Sequence, residues 1–146
     1  MVMRCLHRRL LSLGLITSLT LVAALTLSPQ GTGWAWGSPT AELRWYVTGL
    51  GSPDTVVQLV GNLALLALPA AVSVQRWPAL GRLPRLASAG LATGTAIELL
   101  QRLLPLGRVV SPMDALLNAT GAVLAGMVTS QAVRRGALGR VRATTA

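Results

Sequence analysis

The side chains able to do chemistry fall at helical spacing. Glu98, Gln101 and Arg102 stand at i, i+3 and i+4, Asp114 and Asn118 at i and i+4, and Asp54, Gln58 and Asn62 at i, i+4 and i+8. Each set occupies one face of a helix. Carboxylates and carboxamides arranged in this way bind and orient a polar group, and Arg108 adds a guanidinium suited to bidentate contact with phosphate or carboxylate. Glu98, Gln101, Arg108, Asp114, Asn118 and Asn62 are therefore the candidate ligand-binding residues. Acid–base catalysis is the alternative chemistry, with a desolvated Glu98 as acid and Asp114 as base. No nucleophile, phosphate loop or metal cluster accompanies them. His7 and Cys5 are the single histidine and cysteine, and both lie far from these residues in sequence. No intramolecular disulfide can form, and no metal or other cofactor is expected.

The elements that must carry these residues follow from composition. Of the 146 residues 52% are hydrophobic and only 12% charged, and the mean hydropathy is +0.59. Disordered chains are poor in apolar residues, and soluble domains carry about a quarter charged residues. The composition is that of a membrane protein. Four apolar stretches stand out, at about Leu10–Leu27, Thr55–Val74, Leu86–Leu104 and Ala115–Val133. Each approaches the ~20 residues a helix needs to cross about 30 Å of hydrocarbon. Only a helix satisfies its own backbone in lipid, so the expected fold is all-α, a single polytopic domain over 1–146 with four transmembrane helices. The first stretch follows Arg4, Arg8 and Arg9 in the manner of a signal peptide. Its apolar run exceeds the usual 7–15 residues of such a leader, and Leu27-Ser28-Pro29-Gln30 offers no small-x-small cleavage site, so a retained helix is expected.

Orientation follows from arginine. The formal net charge is +9, and all 13 basic residues are Arg. Ten lie in the N-terminus, the 75–85 loop and the basic tail 134–146; only Arg44, Arg102 and Arg108 fall on the other side. The positive-inside rule then puts both termini in the cytoplasm of a multi-pass cell-membrane protein. Short arginine runs between long apolar stretches are not the clustered basic face of a nucleic-acid binder, and no nucleic acid is expected as a partner. The external loop 28–54 contains Trp34, Trp36, Trp45 and Tyr46, four of the five aromatic residues, which reads as a headgroup belt. Within it, 39–48 is expected to form a short interfacial helix opened by Ser38 and Pro39.

At a rise of about 1.5 Å per residue, Asn62 lies roughly 12 Å below Asp54, Asn118 roughly 6 Å below Asp114, and Glu98 about 10 Å below Pro105. The polar faces of three helices thus meet in the outer half of the membrane. The amides can serve as interhelical glue, worth about 0.6 kcal/mol each. A carboxylate costs more to bury, so Glu98 is expected to pair with Arg102 or Arg108, or to be protonated. Gly90 with Gly94, and Ala122 with Gly126, have the small-xxx-small spacing of close helix packing. Pro69 should bend the second helix.

Ile97-Glu98-Leu99-Leu100-Gln101, then Gly107-Arg108, then Asp114-Ala-Leu-Leu-Asn118-Ala-Thr-Gly121 resemble the VanZ-like family of bacterial membrane proteins. That family has a Glu-x-x-Gln pair followed by Gly-Arg and by Asp-x-x-x-Asn-x-x-Gly; Asn62 and Pro69 match its earlier Asn and Pro. The resemblance spans about residues 54–130. It departs where the family usually has Phe before the proline and Gly two positions after it; here Leu66, Leu68 and Ala71 stand. The family's namesake is associated with resistance to teicoplanin, a lipid-tailed glycopeptide acting at the outer leaflet. The resemblance therefore implies a membrane lipid or amphiphilic envelope ligand as partner and a link to glycopeptide resistance. Two alternatives stay open: an enzyme acting on a lipid-linked envelope substrate, and a structural or transport protein. Transport by four helices would call for a homo-oligomer, with Gly90 and Gly94 as its candidate interface.

Overall fold

The computed structural model describes residues 2–144. Six α-helices and two short strands follow in the order α1 (Val2–Leu27), β1 (Trp34–Trp36), α2 (Pro39–Gly49), α3 (Pro53–Leu65), α4 (Ala67–Arg76), α5 (Leu83–Leu103), β2 (Arg108–Val110) and α6 (Pro112–Thr144). A single 3-10 turn at Pro78–Gly81 links α4 to α5. The molecule is mostly helical, and three segments are long and apolar enough to cross a membrane: Cys5–Leu27, Pro53–Arg76 and Pro112–Gly136. Leu10, Leu13, Ile16, Val57, Val60, Leu124 and Val128 on these segments are exposed, which suits an apolar surrounding rather than water. α5 has the length of a span, but Arg85, Glu98, Gln101 and Arg102 lower its hydropathy, and it is not among the three.

The expected second helix is two helices. Leu66 interrupts it with φ −97° and ψ 3°, four residues after Asn62 and three before Pro69. Proline at 69 has no N–H for the Leu65 carbonyl and its ring crowds that oxygen, so the chain breaks one turn upstream of the proline. The bend expected at Pro69 is present, sharpened into a break. Leu66 itself joins Val22, Ile97 and Ala122 in the buried core, with Leu65 and Ala70 packed against them.

The chain runs up and down. Gln101 of α5 donates to Thr26 O at the end of α1, Asn62 of α3 donates to Asp114 at the start of α6, and all of these mark one end of the bundle. At the other end Arg76 donates to Ser12, and Gly81 lies against Ser130. Gly90 faces the backbone of Ala119, and Gly94 faces that of Ala115. The close helix packing expected of Gly90 and Gly94 is thus made with α6 of the same chain, on the face that the transport alternative offers as a candidate interface. Gly121 gives α6 the same close approach to the Leu63 carbonyl of α3.

Two further expectations change. The external loop is partly ordered, since β1 pairs with β2 as a parallel ribbon, Trp34 opposite Arg108 and Trp36 opposite Val110. The purely all-α expectation is corrected to that extent, because three residues on either side of the site form a ladder that hydropathy does not signal. The helix expected to end at Val133 runs on into the basic tail, α6 continuing to Thr144; the side chains of Arg4, Arg140 and Arg142 lie outside the described residues. The short helix expected at 39–48 is α2, with Ser38 before it and Pro39 in its first turn.

A Cβ at Gly94 would stand 2.7 Å from Ala115 O. Gly94→Val is expected to destabilise the protein by about 1–3 kcal/mol through overpacking, read as a lower thermal midpoint of the purified protein in detergent. At Gly61, in α3, a Cβ would meet nothing, and Gly61→Ala should melt at or above the wild-type temperature because alanine restrains the unfolded chain.

Candidate functional site: a polar cavity at one end of the bundle

The site is organised around the start of α6. A helix leaves its first amides without partners, and Ser111, immediately before Pro112, supplies one: its Oγ accepts from Asp114 N at 3.0 Å. The Ser111 hydroxyl proton goes to Glu42 Oε2 of α2 at 2.6 Å. Its backbone N–H donates to Glu98 Oε2 of α5 at 2.6 Å. One serine, only 2% exposed, thus ties three elements together. Negative charge is favoured at this helix end by the aligned peptide dipoles, which accounts for carboxylates gathering here.

Asp114, in the first turn of α6, accepts three side-chain donors. Asn62 Nδ2 reaches Oδ1 at 2.6 Å, Tyr46 Oη reaches the same oxygen at 3.2 Å, and Gln58 Nε2 reaches Oδ2 at 3.3 Å. The i, i+4 pair of α3 therefore points at one carboxylate, while Asp54 at the head of the same row is exposed. Tyr46 is buried instead of lying in the aromatic belt with Trp34, Trp36 and Trp45, which remain exposed. Burial, then the neighbouring Asp114 charge, pushes the Tyr46 phenol up to about 12.

The second wall is the end of α1. Gln101 Nε2 donates to Thr26 O at 2.9 Å. Arg108 donates through Nη2 to Leu25 O at 2.8 Å and through Nε to Ser28 O at 3.1 Å. A guanidinium on the last carbonyls of a helix both satisfies them and opposes the negative end of the dipole. Gly107 lets Arg108 reach this position: its φ is +66°, a conformation glycine adopts at no steric cost, and its N–H donates to Gly33 O at 2.8 Å. Glu98 pairs with neither arginine expected for it; its observed partner is the Ser111 amide, and the Arg102 guanidinium lies 5.0 Å over the Trp34 ring.

These contacts frame a half-open cavity of about 440 Å³. All six residues singled out from sequence line it: Asn62, Glu98, Gln101, Arg108, Asp114 and Asn118, together with Gln58 and an apolar wall of Leu25, Leu65 and Ile97. Asn118 is only 1% exposed, and its Oδ1 has no hydrogen-bond partner. A buried carboxamide oxygen left unpaired costs about 1–3 kcal/mol, so this atom is held unsatisfied at the cavity wall at a price in stability. Among the described residues, no group of histidine, cysteine and carboxylate side chains could hold a metal ion.

Glu42, Tyr46 and Ser111 belong to the site and escape the sequence reading. Ser111-Pro112 followed by Asp114 carries a helix-start signature that could have flagged the serine. Nothing local flags Glu42 or Tyr46, which reach α6 from a loop nearly seventy residues upstream.

Comparison with known proteins finds no matching family model, no similar curated protein and no similar solved structure.

Tyr46 is the single tyrosine, so its ionisation can be followed in the ultraviolet absorption of the whole chain. The expected midpoint is about 12, against ~10 for a free phenol, falling toward the free value in Asp114→Asn. Because the folded-state pKa is raised, the stability this group contributes is intact below pH ~10 and is lost as pH rises through the folded value.

Proposed function

We propose that this chain is a VanZ-like integral membrane protein whose polar cavity opens to the outer leaflet and engages an amphiphilic envelope ligand, with tolerance of teicoplanin-type glycopeptides as the consequence. In this reading α5 is the third of four spans, α3 and α4 together form the second, and both termini are cytoplasmic. The observation that carries it is the convergence of Asn62, Glu98, Gln101, Arg108, Asp114 and Asn118 on one cavity with an unpaired Asn118 oxygen in its wall. An apolar wall beside a few convergent polar groups is the ordinary make-up of a small-molecule site.

Membership of the family rests on the ordered Glu-x-x-Gln, Gly-Arg and Asp-x-x-x-Asn-x-x-Gly set. Its pieces have mutually consistent roles: Gly107 positions Arg108, Asp114 receives Asn62, and Gly121 seats α6 against α3. Binding is favoured over catalysis by the lining itself. It contains no serine, cysteine or histidine, and its one hydroxyl, Thr26 Oγ1, donates to Val22 O.

Two measurements test the reading. The exposed native Cys5 should react with a membrane-impermeant maleimide only after lysis, whereas cysteine introduced by Thr48→Cys should react in intact cells; the reverse pattern overturns the orientation. In a teicoplanin-susceptible host, expression should raise tolerance. Glu98→Gln and Arg108→Ala should each abolish the gain at unchanged protein level; full tolerance in both well-expressed variants would overturn the function.

A further inference from the structure

The end of the bundle opposite the polar cavity has a chemistry of its own, independent of what the cavity binds. None of the four acidic side chains, Glu42, Asp54, Glu98 and Asp114, reaches it. Glu42, Glu98 and Asp114 are gathered at Ser111. Asp54 stands in the first turn of α3, at the cavity end. Arg8, Arg9 and Arg76, by contrast, line one shallow recess of about 390 Å³ together with Cys5, Ser12 and Leu13. Like charges on one recess, with no carboxylate side chain in reach, repel one another. An anion seated among them relieves that repulsion.

Arg76 is held in place from two sides. Its Nε donates to Ser12 Oγ at 3.4 Å, and its guanidinium lies 4.9 Å over the Trp77 ring. Ser12 Oγ in turn donates to Arg8 O at 3.0 Å, so one hydroxyl joins the turn that carries Arg8 to the end of α4. Arg76 is half-buried, and its two terminal nitrogens meet no protein acceptor among the described residues. Arg8 and Arg9 are exposed, and their side chains make no hydrogen bond among the described residues. Arg85, farther along the chain, is instead turned onto Ala79 O. A guanidinium can rest its face on an aromatic ring and still present an N–H edge to phosphate.

Depth identifies the anion. The apolar segment Cys5–Leu27 begins at this recess, and Pro53–Arg76 ends at it. The three arginines therefore stand where hydrocarbon gives way to headgroups. Leu13, on the recess wall, is 60% exposed and offers an apolar surface to an acyl chain. A soluble anion would use the arginines alone, whereas a phospholipid uses both surfaces. A zwitterionic head brings a cation of its own, which three guanidiniums disfavour. We infer that the recess of Arg8, Arg9 and Arg76 is a binding site for the phosphodiester head of an anionic phospholipid.

Phosphatidylglycerol and phosphatidylcholine with identical acyl chains test the charge, and glycerol 3-phosphate tests a phosphate without chains. The full chain in detergent is titrated with each, and bound molecules are counted by native mass spectrometry. Phosphatidylglycerol should bind about tenfold or more tightly than phosphatidylcholine, and glycerol 3-phosphate should not displace it. Arg8→Gln with Arg9→Gln removes two charges that hold nothing in the folded chain. This variant should melt at or above the wild-type temperature while its lipid preference falls to about twofold or less. Arg76→Gln should lose the preference too. Arg134→Gln with Arg135→Gln removes equal charge from exposed side chains of α6 outside the recess, and should keep it.

Equal loss of preference in the two double variants would overturn the recess in favour of diffuse attraction to positive charge. A preference that survives Arg8→Gln with Arg9→Gln, or no preference in the wild type, would overturn it outright. Displacement of the lipid by glycerol 3-phosphate would replace the lipid with a soluble phosphate as the ligand.

Discussion

The start of α6 is the constraint around which the rest of the molecule is arranged. Helix amides buried inside a bundle must be met by other groups of the same chain. Ser111 meets one directly and then passes the demand on, drawing Glu42 from α2 and Glu98 from α5 to its own hydroxyl and amide. Asp114 extends the cluster toward α3 through Asn62 and Gln58 and toward α2 through Tyr46. Four elements distant in sequence are thereby fixed at one point. The end of α1 poses the mirror problem with carbonyls in place of amides, and Gln101 and Arg108 solve it.

The cavity lies between these two solved helix ends. Its polar character comes from side chains recruited to satisfy backbone groups, and its apolar wall from Leu25, Leu65 and Ile97, where the packed core begins. Among the described residues, the Asn118 oxygen is the buried atom of this lining without a hydrogen-bond partner. Natural proteins break local rules most often where function requires it, and a buried carboxamide oxygen left unpaired is such a place.

Much of this arrangement is legible in the sequence. Spacing put Glu98 with Gln101, Asp114 with Asn118, and Gln58 with Asn62, and estimated depths put the three faces at one level, where they line one cavity. Three of the four expected spans are long and apolar enough on their own; α5 is not, because it carries the acid and amide of the site together with Arg85 and Arg102. The pairing of Glu98 was not legible. A charge balance suggested an arginine, yet both nearby arginines had better partners, a Trp34 ring for Arg102 and the α1 carbonyls for Arg108. The glycines of α5 signalled close packing without saying against what; they face α6 of the same chain.

Sequence alone determined the apolar segments, the faces on which their polar residues fall, and a bend at Pro69, since hydropathy, helical periodicity and a missing N–H are properties of local chain. Tertiary structure alone decided which oxygen each donor reaches, that Glu42 and Tyr46 join the site from a distant loop, that β1 and β2 pair, and that Asn118 keeps an unpaired oxygen. Those outcomes depend on competition among groups far apart along the chain, and a hydrogen bond goes to whichever acceptor the packing brings within 3 Å or so.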